Sequence, residues 1–240
     1  MNPPRRRGLV RRLLPVAILA AALALFFAFG LQKYLSFEAL GAHRATLVGL
    51  VGQHYAAVLA AYVVIYALAV AVSVPGGTVL TVTGGFLFGL WVGTLASAVG
   101  ATIGAALLFL AARHALAGPL RARAGPWFER IERGFREDGI SYLLVLRLIP
   151  LFPFFAVNLV VPLLGVRFPT YVATTFVGIL PGTFVFTSFG DGLGAIFQAG
   201  GTPTPEGILT PGIVIALVGL AVLAMAPVAY RRIRQRRSVR

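Results

Sequence analysis

The sequence predicts an all-α integral membrane protein built as an inverted repeat, with a re-entrant hairpin and a transmembrane helix in each half and flanking transmembrane helices at both ends. Three observations carry that expectation. Of 240 residues, 58% are hydrophobic and only 12% charged, against roughly a quarter charged in soluble domains, and mean hydropathy is +0.89. Apolar stretches at Leu13–Leu31, Tyr55–Val74, Leu90–Ala112, Phe168–Phe189 and Ile208–Tyr230 reach the ~20 residues that span a ~30 Å hydrocarbon core. Two Pro/Gly clusters, Pro75-Gly76-Gly77 and Pro150 with Pro153 and Pro162, interrupt the apolar sequence where a straight span should not be broken.

The first stretch follows a basic segment, Arg5–Arg12, and so resembles a signal peptide. Its apolar run exceeds the usual h-region and no small-x-small cleavage site follows, so it is expected to remain as an uncleaved span. The remaining elements are arranged by charge. The net charge is +14, and the basic residues concentrate at Arg5–Arg12, Arg113–Arg136 and Arg231–Arg240, each flanking an apolar span. Such flanks set topology by the positive-inside rule and attract anionic headgroups, which accounts for the charge without nucleic acid.

If Tyr55–Val74 and Leu90–Ala112 both crossed fully, the basic loop 113–136 would fall outside, against that rule. Folding Tyr55–Gly89 into one hairpin that enters and leaves on the outer side resolves the conflict, because Leu90–Ala112 then brings the loop inside. A second hairpin, Gly139–Gly165, would enter from the cytoplasm, Phe168–Phe189 would cross outward, and Ile208–Tyr230 would return to a cytoplasmic tail. Both termini are then cytoplasmic in a multi-pass protein of the cell membrane. Three regions result: 1–54 with the first span and an outer segment, 55–190 as the core, and 191–240 with the outer loop, last span and basic tail. Gly89-Leu-Trp-Val-Gly-Thr94 aligns faintly with Gly165-Val-Arg-Phe-Pro-Thr170, as an inverted repeat requires.

Small residues at Gly93, Ser97, Gly100, Ala101 and Gly104 predict a helix face for close packing. Trp127, Phe128, Ile131 and Phe135 share one side of a short helix expected at the inner interface, with Glu129–Arg133 and Glu132–Arg136 paired on the other. Pro181-Gly182 should kink the span that contains it.

Irregular backbone at membrane depth persists only beside protein or a wet cavity, so the two breaks mark a candidate binding site. The first offers Gly76, Gly77, Thr78, Thr81 and Thr83; the second offers Arg147, Pro150, Pro153 and Asn158. Arg147 stands alone in an apolar run from Tyr142 to Val157, where a charge costs about 2.5–3.5 kcal/mol even on insertion scales. Its guanidinium suits a phosphate headgroup; the alternatives are snorkelling to the surface or pairing with Glu137 or Asp138. Asn158 serves either as a cap or as a headgroup contact, and Arg167 as a topology anchor.

Cysteine is absent, which excludes disulfides and thiolate chemistry, and His43, His54 and His114 lack metal-ligand spacing. No nucleophile elbow, phosphate loop or carboxylate pair is present. The expectation is a non-enzyme without cofactors.

Pro75-Gly-Gly, Gly84-Gly-Phe-Leu-Phe-Gly89, Gly93, Gly100 and Gly104, then Arg147-Leu-Ile-Pro-Leu-Phe-Pro153, Asn158, Gly165, Gly178-Ile-Leu-Pro-Gly182 and Gly190, together resemble the DedA superfamily. They resemble more closely its VTT-domain branch, the SNARE-associated Golgi proteins, over about residues 70–190. The resemblance implies two facing re-entrant hairpins and movement of phosphate-bearing lipids, phospholipid or undecaprenyl phosphate, between leaflets by a flippase or scramblase. It implies that Arg147 meets phosphate. Many relatives carry carboxylates near the first hairpin, whereas here none lies between Glu38 and Glu129, which weakens proton coupling. Two rivals are an ion- or solute-coupled secondary transporter and a membrane scaffold that acts through the interfacial helix and basic tail.

Overall fold

The computed structural model describes residues 5–123, 126–148 and 153–198. The predicted span 208–230, the basic tail and Pro150 lie outside the described residues, as do the side chains of Trp127, Phe128, Glu129, Ile131, Arg133, Arg136 and Glu137. Every described element is helical: α1 (Arg5–Ala28), α2 (Phe37–Ala42), α3 (Arg44–Ala71), α4 (Gly77–Arg123), α5 (Pro126–Leu148), α6 (Phe154–Val160) and α7 (Phe168–Gln198), with 3-10 turns at Leu31–Tyr34 and Val161–Leu164. Three of the helices, over Arg44–Ala71, Gly77–Ala115 and Phe168–Gly194, are long and apolar enough to cross a membrane. The chain is a multi-pass α-helical membrane protein.

Gly89 divides α4 into two limbs. Its φ of 74° and ψ of 177° reverse the helix at a position where a Cβ would be strained. Tyr62 Oη donates to Leu80 O (2.9 Å) and shares a 2.6 Å hydrogen bond with Ser97 Oγ, so position 80 lies beside position 97. A Cβ at Gly93 would sit 2.6 Å from Gly84 O, so 84 lies beside 93. The limbs are therefore antiparallel. At about 1.5 Å per residue, limb 77–88 is roughly 18 Å long, shorter than a ~30 Å core.

The predicted small-residue face explains how three helices approach so closely. Gly100 admits Tyr66, whose Cβ lies 2.8 Å from the position a glycine Cβ would take, and Gly104 admits Val70 at 2.7 Å. These contacts run in the same order on α3 and on limb 90–123, so those two helices are parallel and limb 77–88 returns between them.

Helix α7 runs antiparallel to limb 90–123, since Thr94 Oγ1 meets Thr187 Oγ1 at 2.6 Å while Tyr171 Oη reaches Ala105 O at 3.5 Å. It passes through Pro181 as one helix. Thr187 Oγ1 also lies within hydrogen-bond distance of Thr183 O (2.9 Å) and Phe184 O (3.1 Å) in its own preceding turn. The core below is aromatic and aliphatic, with Phe109, Leu143, Val161 and Tyr171 packed together. Phe109 stacks on Tyr171 at 4.5 Å between centroids.

Both halves repeat one series of backbone events. His54 in α3 (φ −137°, ψ 48°) and Asp138 in α5 (φ −141°, ψ 49°) are elbows with nearly equal dihedrals. Each elbow is followed by a helix, an interruption, a short helix, a glycine at φ 74° (Gly89 or Gly165) and a long helix.

The α4–α7 pairing yields a direct test in this cysteine-free chain. Oxidising the Thr94→Cys/Thr187→Cys variant should form an intramolecular disulfide, since the hydroxyl contact brings the Cβ atoms near the ~3.5–4.5 Å that a bridge needs. A Thr94→Cys/Thr170→Cys control, about 25 Å further along α7, should not crosslink. Absence of the first crosslink overturns the pairing.

Candidate functional site

Helix α3 ends in a Schellman turn. Ser73 N donates to Val70 O (3.0 Å) and Val74 N to Ala69 O (2.8 Å), with Ser73 at φ 64° in the place usually held by glycine. Pro75 prevents further helix, and Gly76 at φ 122° turns the chain against Leu35, whose Cβ lies 3.4 Å from the missing side chain. Helix α4 then starts at Gly77, leaving its first amides without intrahelical acceptors. Tyr66 Oη braces this start through Thr81 Oγ1 (2.8 Å), which itself donates to Gly77 O (2.7 Å).

The second break brings Arg147 to the same place. It occupies the last turn of α5, and α6 begins at Phe154 behind Pro153. A crevice of about 730 Å3 lies between the breaks, lined by Pro75, Gly76, Gly77, Thr78 and Thr81 from one side and Arg147 and Phe154 from the other. Leu23 of α1 and Thr183 of α7 also line it.

Arg147 is held by neutral groups. Its Nη2 donates to Asn158 Oδ1 (2.6 Å), Thr175 Oγ1 (3.0 Å) and Tyr171 Oη (3.2 Å). Its guanidinium carbon lies 4.6 Å from the Phe154 ring centre and 5.5 Å from that of Tyr171, within cation–π range. Gly178 makes room for its stem, since a Cβ there would fall 2.7 Å from Arg147 Cβ. Asn158 is fully buried, and its Oδ1 also accepts from Tyr171 Oη at 2.8 Å, which fixes the amide with Nδ2 pointing the other way.

Arg147 Nε and Nη1, Asn158 Nδ2 and Thr102 Oγ1 are buried without a hydrogen-bond partner. Three of those four atoms can only donate. Among the described residues no carboxylate is a partner of Arg147. Asp138, one of the two acids considered for pairing, lies nine residues back, roughly 13 Å along a helix, in a different groove. A site with one positive charge, surplus donors and no fixed anion calls for an anionic, oxygen-rich occupant.

Of the residues singled out from sequence, Gly76, Gly77, Thr78, Thr81 and Arg147 line this crevice, and Asn158 lies beneath it as the brace of Arg147. Thr83 does not line it; its hydroxyl donates to Val79 O at 2.8 Å within its own helix. Pro153 is exposed at the start of α6. Sequence reasoning missed Tyr66, Ser73, Tyr171 and Thr175. The i,i+4 pair Tyr171 and Thr175, two hydroxyls on one face of an apolar span, was the available signal. Asp191 sits at the Gly89 turn, its Oδ1 3.6 Å from where a Cβ would be. Among the described residues no cluster of three His, Asp or Glu could hold a metal.

Over residues 74–192 the chain is similar to the VTT domain family. It is 30% identical over 182 residues to transmembrane protein 41B of Homo sapiens, an alignment covering 74% of this chain and 60% of that one. It is 29% identical over 182 residues to transmembrane protein 41B of Xenopus tropicalis, covering 74% and 63%. The Danio rerio protein of that name is 28% identical over 183 residues, covering 75% and 62%. The chain thus spans less than two thirds of the length of these relatives. No solved structure matches it.

The bracing of Arg147 predicts opposite effects at neighbouring positions. Asn158→Leu strips the shortest hydrogen bond from a buried charge and should cost about 1.5–3 kcal/mol, read as a lower thermal midpoint in detergent. Arg147→Met removes the uncompensated charge, keeps the stem, and should leave the midpoint equal or higher. A fall in midpoint for Arg147→Met matching that for Asn158→Leu would mean the guanidinium serves the fold.

Proposed function

The chain belongs to the VTT-domain family, and on that premise we propose that it carries phosphate-bearing lipids between leaflets, as a flippase or scramblase. The observation that carries this reading is the buried, anion-free Arg147 facing a crevice bounded by both helix breaks. The proposed occupant is a lipid phosphate. It would take hydrogen bonds from the free nitrogens of Arg147 and from the first-turn amides of α4 at Gly77 and Thr78, where a helix N-terminus favours negative charge. The acyl chains would stay outside, along exposed apolar side chains such as Val64, Leu68, Leu95, Val177 and Phe186.

The membrane topology that suits this task is the inverted repeat. The matching elbows, the glycines at φ 74° and the antiparallel long helices support two re-entrant hairpins entering from opposite faces. With 113–136 and both termini cytoplasmic, the crevice at the hairpin tips falls near the midplane, the usual site in inverted-repeat transporters. The barrier to flipping is the cost of bringing a charged headgroup to that depth. A fixed guanidinium and oriented amides there replace water and lower it. No acid lies between Glu38 and Glu129, so the first hairpin has no carboxylate to protonate, and downhill scrambling fits better than proton-driven exchange.

The test is translocation of a fluorescent phospholipid across vesicles containing the purified protein. Wild type should exceed empty vesicles. Arg147→Met should lose roughly ten- to hundred-fold, the equivalent of one charged hydrogen bond of about 1.5–3 kcal/mol, and Arg147→Lys should retain part. Equal rates for wild type and empty vesicles would sink the proposal.

A further inference from the structure

Ser73 is set apart by its backbone. Among the described residues, positive φ occurs at Gly30, Gly76, Gly89 and Gly165, and at one residue that carries a side chain, Ser73 at φ 64°. In that region a Cβ crowds the following carbonyl, which is why glycine or asparagine usually holds the place after a helix C-terminus. The turn itself gains nothing from the serine. Both of its hydrogen bonds use backbone atoms, Ser73 N to Val70 O and Val74 N to Ala69 O, and glycine would make them equally well. The hydroxyl does not offset the strain locally either. Among the described residues Ser73 Oγ has no hydrogen-bond partner, whereas Thr81, Thr83, Thr94, Thr174, Thr187 and Ser188 each donate to a carbonyl of their own helix. What Ser73 does meet is the crevice, which it lines half-buried together with Arg147, Gly77 and Thr78. Backbone strain of this kind persists where it serves ligand binding.

We infer that Ser73 is a direct contact for the occupant of the crevice, its hydroxyl donating to an oxygen of the phosphate group that Arg147 neutralises. The inference rests on the proposed phosphate reading of the crevice and adds to it a residue and a cost in stability. A guanidinium is a planar fork that takes two oxygens lying in its own plane. Phosphate is tetrahedral, so its other oxygens lie out of that plane, and the group can turn unless a further donor catches one. The amides at the start of α4 are fixed in direction by the helix. A hydroxyl rotates to suit its acceptor, so Ser73 can follow the headgroup as it settles. Being neutral, it orients the phosphate without adding to the charge that holds it. The same serine leaves the empty protein less stable than a glycine would. Stability and transport should therefore respond in opposite directions to one substitution.

Two measurements on the purified full-length protein test it: the thermal midpoint in detergent and the translocation of a fluorescent phospholipid in vesicles. Ser73→Gly should raise the midpoint by roughly 1–4 °C, the scale on which relief of one strained residue acts in a chain of this size. It should also slow translocation about tenfold, the scale of one hydrogen bond to a charged group. Ser73→Ala keeps the strain and loses the hydroxyl, so it should slow translocation as much with no gain in midpoint. Ser73→Asn tolerates the same backbone and retains a donor, and should keep more of the wild-type rate than either. Inorganic phosphate separates a lipid headgroup from a free oxyanion. It should leave the wild-type rate unchanged, and competition at concentrations matching the lipid overturns the lipid as the ligand. If wild type exceeds empty vesicles and Ser73→Gly is equally fast, the contact is overturned while the reading of the crevice stands. Wild type no faster than empty vesicles removes both. A loss of rate that merely follows a loss of midpoint, in Ser73→Gly and Ser73→Ala alike, makes the serine part of the fold and overturns the contact.

Discussion

A guanidinium taken out of water with no fixed counter-charge is the constraint around which the described structure is arranged. Its desolvation would be expensive in a plain apolar bundle, so three neutral oxygens converge on it from two helices. Asn158 comes from α6, Tyr171 and Thr175 from α7, and the Phe154 ring covers one face. That set leaves the charge intact. A carboxylate in place of Asn158 would have closed an ion pair and filled the role of an anionic ligand, whereas the amide oxygen steadies the guanidinium and leaves Nε and Nη1 free. Neutral bracing of this kind maintains an unspent positive charge, and a fold maintains one only at some expense to its own stability.

Arg147 meets the crevice where regular helix gives way before α4 and before α6, and an interruption frees backbone groups that lipid could not satisfy. The chain answers with hydroxyls rather than charges. At the first break Tyr66 and Thr81 converge on Gly77 O, and one turn deeper Tyr62 and Ser97 brace Leu80. Thr94 and Thr187 join the long helices through a hydroxyl pair at 2.6 Å. These hydroxyls need the helices to be nearly in backbone contact. That is why the same region is rich in glycine, with Gly84, Gly93, Gly100 and Gly104 each facing a neighbouring atom where a Cβ would sit.

The helical class and the breaks were legible because hydropathy and proline act locally. A run such as Leu90–Ala112 reads as a span wherever it is found, and Pro75-Gly76-Gly77 interrupts helix whatever surrounds it. Arg147 stood out for the same reason, as a charge in an apolar run. The bracing was not legible. Tyr171 and Thr175 lie more than twenty residues downstream of Arg147, and nothing local separates an arginine-holding hydroxyl from one that donates to its own helix, as Thr83 and Thr174 do. The distribution of positive charge, an argument about the whole chain, puts the end of a hairpin at Gly89, and the structure places a reversal of α4 there. Its tightness depends on φ 74°, which a glycine permits and does not announce.

The two halves share a backbone plan and differ in their chemistry. Aligning Gly89 with Gly165 places Ala71 opposite Arg147 and Val82 opposite Asn158, both buried, the one at the end of α3 and the other inside the first limb of α4. The half that enters first therefore supplies amides and threonines, and the second supplies the charge. Two guanidiniums facing each other across a crevice of about 730 Å3 would repel strongly in a medium of low dielectric and would hold a phosphate too firmly to release it. On the proposed reading, one guanidinium against oriented amides would give a single shallow well that a headgroup enters and leaves. If the two hairpins enter from opposite faces, as proposed, the shared backbone plan would give equal approaches from both leaflets, and the asymmetry in charge would keep the central well from becoming a trap.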